Sequence, residues 1–155
     1  MITLEIENKP DGNWNKRLID SGLGTTAQIK EMTFQLKKNN EIPFFLKFID
    51  SKGKIVGQLL ISETTRFQDS THKEKNLLNK FGKFSGMLRL ANVKTKIYRW
   101  SYGPVIFEHE KCLDIYEALK NFLLSDGLHQ VLGWQHPLFT DGISVLEKNF
   151  SLIKW

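Results

Sequence analysis

Residues 43–61 read PFFLKFIDSKGKIVGQLLI, and this stretch decides the fold. Its first part, residues 44–49, is apolar and aromatic, and its last part, residues 55–61, is again mostly apolar. The residues between them, Asp50-Ser51-Lys52-Gly53, have the composition of a turn. The stretch therefore predicts two strands joined as a hairpin.

The chain before the hairpin begins with a predicted strand and a short helix. Ile2, Leu4 and Ile6 alternate with polar residues, which is the pattern of a half-buried strand. Asp11 is a residue type that caps helices, so a short helix is predicted from there through about residue 19.

A second helix is predicted to begin at Thr25. Thr25 and Gln28 have the spacing of a capping box, and Asn39-Asn40 ends the pattern. We expect the apolar face of this helix to pack on the hairpin, and that face carries Ile29, Met32 and Leu36.

The chain after the hairpin alternates between predicted strands and helices. The predicted elements are a strand over residues 97–105, a helix over 113–124, a strand over 130–134, and a helix carrying Ile143, Leu146 and Phe150. The apolar end, residues 152–155, is expected to be a strand cut short. The element order predicts a mixed-sheet α/β fold.

Composition indicates a single globular domain spanning residues 1–155. The chain is 41% hydrophobic and 12% aromatic, and no apolar stretch approaches the roughly 18 residues of a membrane span. The N-terminus lacks the pattern of a secretion signal, so we expect a cytoplasmic protein with no integral membrane segment. The single cysteine, Cys112, is expected in the core of a helix face.

The positive charge is concentrated in one segment. The formal net charge is +5, with a pI near 9.3, which makes an anionic partner plausible. Residues 65–96 lack sustained periodicity and are predicted to form a basic, mobile loop. The basic residues of this segment are Arg66, Lys73, Lys75, Lys80, Lys83, Arg89, Lys94 and Lys96.

Two glycine-containing segments and the four histidines do not match known ligand-binding or metal-binding motifs. Residues 22–26 place glycines before a helix but lack the preceding strand and third glycine of a dinucleotide site. Residues 80–86 combine glycines, cations and a hydroxyl without the spacing of a triphosphate-binding loop. The four histidines are scattered, so no metal site is predicted.

Three segments together resemble a known family. Residues 28–40 form a helix led by Gln, with Phe34 where a Trp is common and Lys38 at a basic position near its end. Residues 53–57 read GKIVG, and residues 102–105 read YGPV after the basic segment. These patterns are similar to those of the Fem-type aminoacyltransferases, which have two GNAT-like lobes and build peptide bridges in bacterial cell-wall precursors.

The chain departs from that family at two places. Where the family often has Arg or Lys directly before Gly-Pro-Val, this chain has Tyr102, with Arg99 three residues earlier. Where relatives can carry an acidic substrate-binding residue, it has Gln135 and His136.

The resemblance implies a mixed-sheet GNAT-like (N-acyltransferase) fold that lacks its last strand or strands and forms the N-terminal lobe of two. It implies an acceptor-binding lobe that helps to transfer an aminoacyl group to an amine of a cell-wall-type or other anionic acceptor. No catalytic residue is expected, because orientation would supply the rate gain. The implied substrate-binding residues are Lys38, Arg99, Tyr102, Gly103 and Gln135.

The sequence also bears on the acyl donor and on an alternative function. No cofactor is expected; aminoacyl-tRNA is the candidate donor, and acetyl-CoA is disfavoured because the loop that would hold its pyrophosphate is missing. The second lobe would supply much of the donor site, so we expect the chain alone to be inactive. The alternative is a non-catalytic module in which residues 66–96 bind RNA or another polyanion. Acceptor identity and oligomeric state stay open.

Overall fold

The computed structural model describes residues 1–65, 96–126, 129–139 and 142–147. The strands are β1 (Thr3–Glu7), β2 (Ile42–Ile49), β3 (Ile55–Thr65), β4 (Lys96–Trp100), β5 (Val105–Ile106) and β6 (His129–Gly133). The helices are α1 (Trp14–Ser21), α2 (Met32–Lys38), α3 (Cys112–Ser125) and α4 (Ile143–Glu147), with short 3₁₀ turns at Thr26–Gln28 and His109–Lys111. In these ranges, no helix is long and apolar enough to cross a membrane.

The predicted mixed-sheet α/β class is confirmed. The strands form one sheet in the order β1-β2-β3-β4-β6, and β5 pairs with β3 beside β4. Strands β1 to β5 pair antiparallel, whereas β4 and β6 pair parallel. Parallel neighbours need a crossover connection, and α3 lies in the chain between them.

The predicted hairpin is confirmed as β2 and β3. Asp50 Oδ1 accepts hydrogen bonds from the backbone N–H groups of Lys52 and Lys54 at 2.8 and 2.9 Å. Gly53 has a φ of 79°, a left-handed conformation that glycine adopts without steric cost. The acidic residue and the glycine thus define the turn between the longest strands of the sheet.

Helices cover both faces of the sheet. On one face, α3 buries Ile115, Tyr116 and Leu119 in a cluster with residues of β2, β3 and β4. On the other face, Trp14 and Leu18 of α1 pack with strand residues, and the rings of Trp14 and Phe45 meet edge to face at 4.8 Å. The sheet is therefore the centre of a three-layer core.

The predicted helix from Thr25 is wrong in its first part. No side-chain hydrogen bond from Thr25 caps the 3₁₀ turn, and Ile29 is extended, with φ −73° and ψ 152°. The α-helix begins only at Met32. Its apolar face nonetheless packs where expected, because Ile29, Met32 and Leu36 lie against the cluster that contains Phe45 and Leu60.

The predicted helix is interrupted at Gln28 because the side chain of this residue hydrogen-bonds to the sheet and not to the helix. Gln28 is fully buried, and its Oε1 accepts the backbone N–H of Leu60 at 2.7 Å. Its Nε2 donates to the backbone carbonyl of Ser101 at 2.7 Å and to that of Leu60 at 3.4 Å. Its own carbonyl accepts the indole N–H of Trp14 at 2.8 Å. One residue thereby joins α1, β3 and the turn after β4.

The predicted strand over residues 97–105 is also wrong, because it is split in two. β4 pairs with residues 62–65 of β3, and β5 pairs with Gly57 and Gln58 of the same strand. Between them the chain turns through residues 101–104, with a cis Gly103–Pro104 peptide bond. The amide of Gln28 bonds to Leu60 in the gap that this turn leaves beside β3.

A series of side-chain hydrogen bonds connects α1 to the sheet. Arg17 donates to both carboxylate oxygens of Asp11 at 3.1 and 2.8 Å and to Gln58 Oε1 at 2.9 Å. Gln58 Nε2 in turn donates to the backbone carbonyl of Trp14 at 3.2 Å. The hydrogen bonds from Arg17 lower the pKa of Asp11 against the opposing effect of burial.

Two expected features fall largely outside the described residues. Thr65 ends β3 and Lys96 begins β4, so the predicted loop over residues 65–96 is shorter by one residue at each end. Residues 66–95, which hold the rest of that predicted loop, and residues 148–155, which hold the predicted last strand, lie outside the described ranges.

Replacing Gln28 with Ala should destabilise the fold by about 2–4 kcal/mol, because the N–H of Leu60 would be left unpaired in the core and a cavity would open. Equilibrium unfolding in urea measures the change. Gln35→Ala is the matched control, since Gln35 is exposed on α2 and its loss should cost under about 0.5 kcal/mol. Equal stability of the two variants would contradict the role assigned to Gln28.

Candidate functional site

The candidate site lies where the parallel strands β4 and β6 end. Their regular pairing stops at Trp100 and Gly133, and a hydrogen bond from the Trp134 N–H to the Trp100 carbonyl extends it by one step at 3.2 Å. The N–H of Gly103 then donates to the Trp134 carbonyl at 3.1 Å. The segments that follow the two strands are thus tied to each other through their backbones. In open α/β sheets, the carboxyl ends of the strands are the usual place for ligands.

Two aromatic side chains stand exposed at this edge. Trp134 is 62% exposed and Tyr102 is 40% exposed, and their rings meet edge to face with centroids 6.0 Å apart. Tyr102 has a φ of 51°, which is uncommon for a bulky side chain. The backbone therefore holds Tyr102 in a costly conformation beside Trp134.

Beneath this edge, glycine at position 133 makes room for a buried indole. A Cβ atom on Gly133 would lie 2.1 Å from two ring atoms of Trp100. Trp100 is 7% exposed and points to the α3 side of the sheet. Since neighbouring strand residues alternate, Trp134 projects to the opposite side.

His136 fastens the segment after β6 to the loop after α1. His136 is 4% exposed, and its Nδ1 accepts the backbone N–H of Leu138 at 3.2 Å. The hydrogen therefore sits on Nε2, which donates to the carbonyl of Leu23 at 3.0 Å. The ring also packs on Phe139, with centroids 5.0 Å apart. The imidazole thus holds this segment, which begins at Trp134, in place.

Arg99 occupies the face of the sheet that carries α2. Its guanidinium Nη1 is 3.8 Å from Oε1 of Glu41, whose other oxygen accepts the hydroxyl of Ser62. The positive charge of Arg99 is therefore partly compensated. Arg99 lies opposite Leu132 in β6, and Trp134 follows two residues later, so Arg99 and Trp134 share one face.

Lys38 is close to this group in the chain. It is exposed in the last turn of α2, three residues before Glu41. A lysine at this end of a helix also complements the helix dipole.

Among the described residues, the buried polar atoms without a hydrogen-bond partner include one each in β4, in α3 and in the segment after β6. They are Oε1 of Gln135, Nε1 of Trp100 and the hydroxyl of Tyr116. Burial, and to a smaller extent the neighbouring Cys112, raises the pKa of Tyr116. Unpartnered buried polar atoms are rare in native proteins, and a ligand or water can explain them.

The strand ends carry no formal charge. Residues 100–107 and 129–139 contain no Asp, Glu, Lys or Arg. The nearest cation established by the sheet register is Arg99, directly before the first of these segments. The edge formed by Tyr102, Gly103, Trp134 and Gln135 therefore suits a neutral group, whereas an anion would be met on the Arg99 side.

The five predicted site residues fall into two groups. Tyr102, Gly103 and Gln135 come together at the strand ends, with Gly103 bonded to Trp134. Arg99 lies within β4 on the α2 face, and Lys38 is exposed in the last turn of α2.

Sequence reasoning missed Trp134 and the real role of Gln28. Trp134 gave no usable signal, because it is the last residue of the predicted strand over residues 130–134 and such a residue can be buried or exposed. The spacing of Gln28 from Thr25 matches a capping box, so the sequence predicted a helix start and not a buried amide.

Neither metal ligation nor a known family accounts for the site. Within the described ranges, no three His, Cys, Asp or Glu side chains converge as a metal site requires. Compared with protein-family models, curated proteins and solved structures, the chain matches none of them.

Gly133→Ala should destabilise the protein by about 1–3 kcal/mol, since the added methyl group would overlap the buried Trp100 ring. Thermal unfolding measures the effect, and Gly12→Ala is the control because no heavy atom lies within 4 Å of a Cβ there. The pair Gly133→Ala and Trp100→Leu should be non-additive, because the smaller leucine frees the space. Strict additivity would show that the overlap is relieved elsewhere.

Proposed function

We propose that this chain is a GNAT-like lobe of a Fem-type aminoacyltransferase and binds the anionic acceptor. The observation that carries the proposal is the convergence at one sheet edge: Arg99, Tyr102, Gly103 and Gln135 lie in or directly after the two parallel strands. The mixed sheet and its element order are consistent with a GNAT-like fold. Ligand binding at the carboxyl ends of parallel strands supports the same reading.

Each residue has a distinct part in this proposal. Lys38 supplies an exposed cation for the anionic group of the acceptor, and Arg99 supplies a second one whose charge Glu41 moderates. Gly103 ties the turn after β4 to Trp134 through its backbone N–H, Gln135 supplies an amide for the acceptor, and Tyr102 with its neighbour Trp134 borders the site. The acceptor thereby contacts the lobe at two separated points, the cations and the strand ends, which fixes its orientation.

The chemistry assigned to the lobe is orientation. The acceptor amine attacks the ester carbonyl of an aminoacyl-tRNA, a new amide bond forms, the ester C–O bond breaks, and the tRNA hydroxyl leaves with a proton. Holding the amine in line with the carbonyl can contribute much of the rate without a protein nucleophile. The second lobe would hold the donor, so this chain alone binds the acceptor without completing the transfer.

A polyanion-binding module is the second candidate function, and the distribution of charge favours it. Residues 66–95 contain seven Lys or Arg against two Asp or Glu, an excess equal to the whole formal net charge of +5. In this reading no transfer occurs. Binding to single-stranded RNA would weaken steeply with salt, whereas binding of a small acceptor would depend on the sheet edge.

Lys38→Ala should weaken binding of inorganic pyrophosphate, used as an anionic probe, by about tenfold, because a hydrogen bond to a charged group contributes about 1.5 kcal/mol. Calorimetric titration measures the affinity, and thermal unfolding shows whether the fold is kept.

Lys37→Ala is the matched control, since Lys37 is exposed in the same last turn and complements the same helix dipole. Its removal should leave pyrophosphate affinity unchanged. If both variants lose the same affinity, or neither does, Lys38 is a helix-end lysine and the acceptor site is elsewhere.

A further inference from the structure

We propose that a stripe of side chains along α3 pairs with the same stripe of a second copy of this chain, which gives an antiparallel, two-fold symmetric dimer. The stripe consists of Leu113, Glu117, Lys120 and Leu124. The inference concerns self-association and does not depend on acyl transfer. It starts from two exposed leucines on a helix whose other side is buried.

Two leucines of α3 are exposed although this helix already has a buried face. Leu113 is 55% exposed and Leu124 is 48% exposed. The buried face that packs on the sheet is made by other residues, namely Cys112, Ile115, Tyr116, Leu119 and Leu123. Folding of a single chain therefore leaves two large apolar side chains of this helix in water, and contact with a partner would bury them.

The two leucines belong to one line along the helix. The steps from Leu113 to Glu117, from there to Lys120 and from there to Leu124 are four, three and four residues, which is the spacing of contact positions in paired helices. Since each helical residue advances by about 100°, the four side chains fall within an arc of about 60° around the axis. The stripe is thus narrow enough to face one partner helix.

The order of side chains along the stripe is self-complementary. The two leucines lie at equal distances from its centre, and so do Glu117 and Lys120 between them. In an antiparallel pair, Leu113 therefore meets Leu124 of the partner subunit, and Glu117 meets Lys120 of the partner subunit. A parallel pair would instead place like charges against each other, which costs free energy. The charges thus select a second copy in the antiparallel direction, and the contact closes as a two-fold dimer.

The centre of the stripe does not repel a second copy. In the single chain, Glu117 and Lys120 form an ion pair with each other along the helix, so the centre carries no net charge. The side chain of Glu117 is 51% exposed, and an exposed pair of this kind contributes little to stability. Exchanging it for two pairs across the dimer therefore costs little.

The proposed dimer leaves the candidate site open. α3 covers one face of the sheet, whereas Arg99 and Trp134 lie on the other face, which also carries α2. Pairing through α3 therefore does not cover the residues proposed to bind the acceptor. We expect dimer formation and pyrophosphate binding to be independent of each other.

The dimer is expected to be weak, because one pair of helices forms it. α3 has 14 residues, and a contact along one such helix is smaller than the roughly 1,600 Å² of a standard interface. We expect a dissociation constant on the order of 0.1 mM. Sedimentation equilibrium of the intact chain from about 0.01 to 1 mM should therefore follow the change from monomer to dimer.

Leu113→Asp should abolish the dimer in this concentration range, because it places a carboxylate against Leu124 of the partner subunit. Leu138→Asp is the matched control, since Leu138 is 64% exposed in the segment after β6 and does not belong to the stripe. That variant should dimerise as the original chain does. Thermal unfolding checks that both variants keep the fold.

Two charge variants test the direction of the pair. In Glu117→Lys two lysines would face each other at both central contacts, and in Lys120→Glu two glutamates would do so. Each variant alone should dimerise about tenfold more weakly than the original chain or not at all. An equimolar mixture restores opposite charges at both contacts, so the two variants should form a mixed dimer that neither forms alone.

The inference is overturned if the original chain stays monomeric, if Leu113→Asp dimerises as the original chain does, or if the mixed charge variants associate no more tightly than each variant alone. Loss of the dimer in Leu138→Asp as well would assign it to another surface. A dimer without pyrophosphate binding would reject the acceptor site and keep this interface. Pyrophosphate binding by a chain that does not dimerise would reject the interface and leave the proposed function standing.

Discussion

The buried amide of Gln28 is the interaction on which the rest of the structure depends. It occupies the place beside Leu60 that a continuous neighbouring strand would otherwise fill, and it binds the turn after β4 through Ser101. The split between β4 and β5 is tolerable because this amide satisfies the backbone there. The same geometry requires glycine at 103, where a Cβ would lie 2.4 Å from Leu59 Cδ1 and 3.1 Å from Gln28 Nε2. The turn that carries Tyr102 is thus defined from the core outward.

The sheet and its main helices could be predicted because their signals are local and periodic. The hairpin follows from two apolar runs around an acidic and glycine-containing turn, and α3 follows from its apolar spacing. The two errors have one cause. The break at Ile29 and the break between β4 and β5 both depend on a long-range bond from Gln28, and periodicity in sequence cannot report a partner 32 or 73 residues away.

The candidate site was partly predictable for a similar reason. Tyr102, Gly103 and Gln135 were found through a resemblance in short motifs, and the parallel pairing of β4 and β6 brings their segments together. The partial neutralisation of Arg99 by Glu41 was not foreseeable, because Glu41 directly precedes β2 and the ion pair spans β3 to reach β4. The exposure of Trp134 was equally unpredictable from the sequence, since a tryptophan at the end of a strand is buried in some folds and exposed in others.

The pairing of Thr65 with Lys96 gives the chain a modular layout. Thr65 and Lys96 flank residues 66–95 in the sequence and lie opposite each other in two antiparallel strands, so the register of β3 and β4 does not depend on the number of residues between them. Those residues also carry a charge excess equal to that of the whole protein, while the remainder of the chain is neutral. Selection could therefore lengthen, shorten or recharge this segment over many generations without disturbing the packing around the sheet. The net charge of the protein and the packing around its sheet therefore depend on different parts of the sequence.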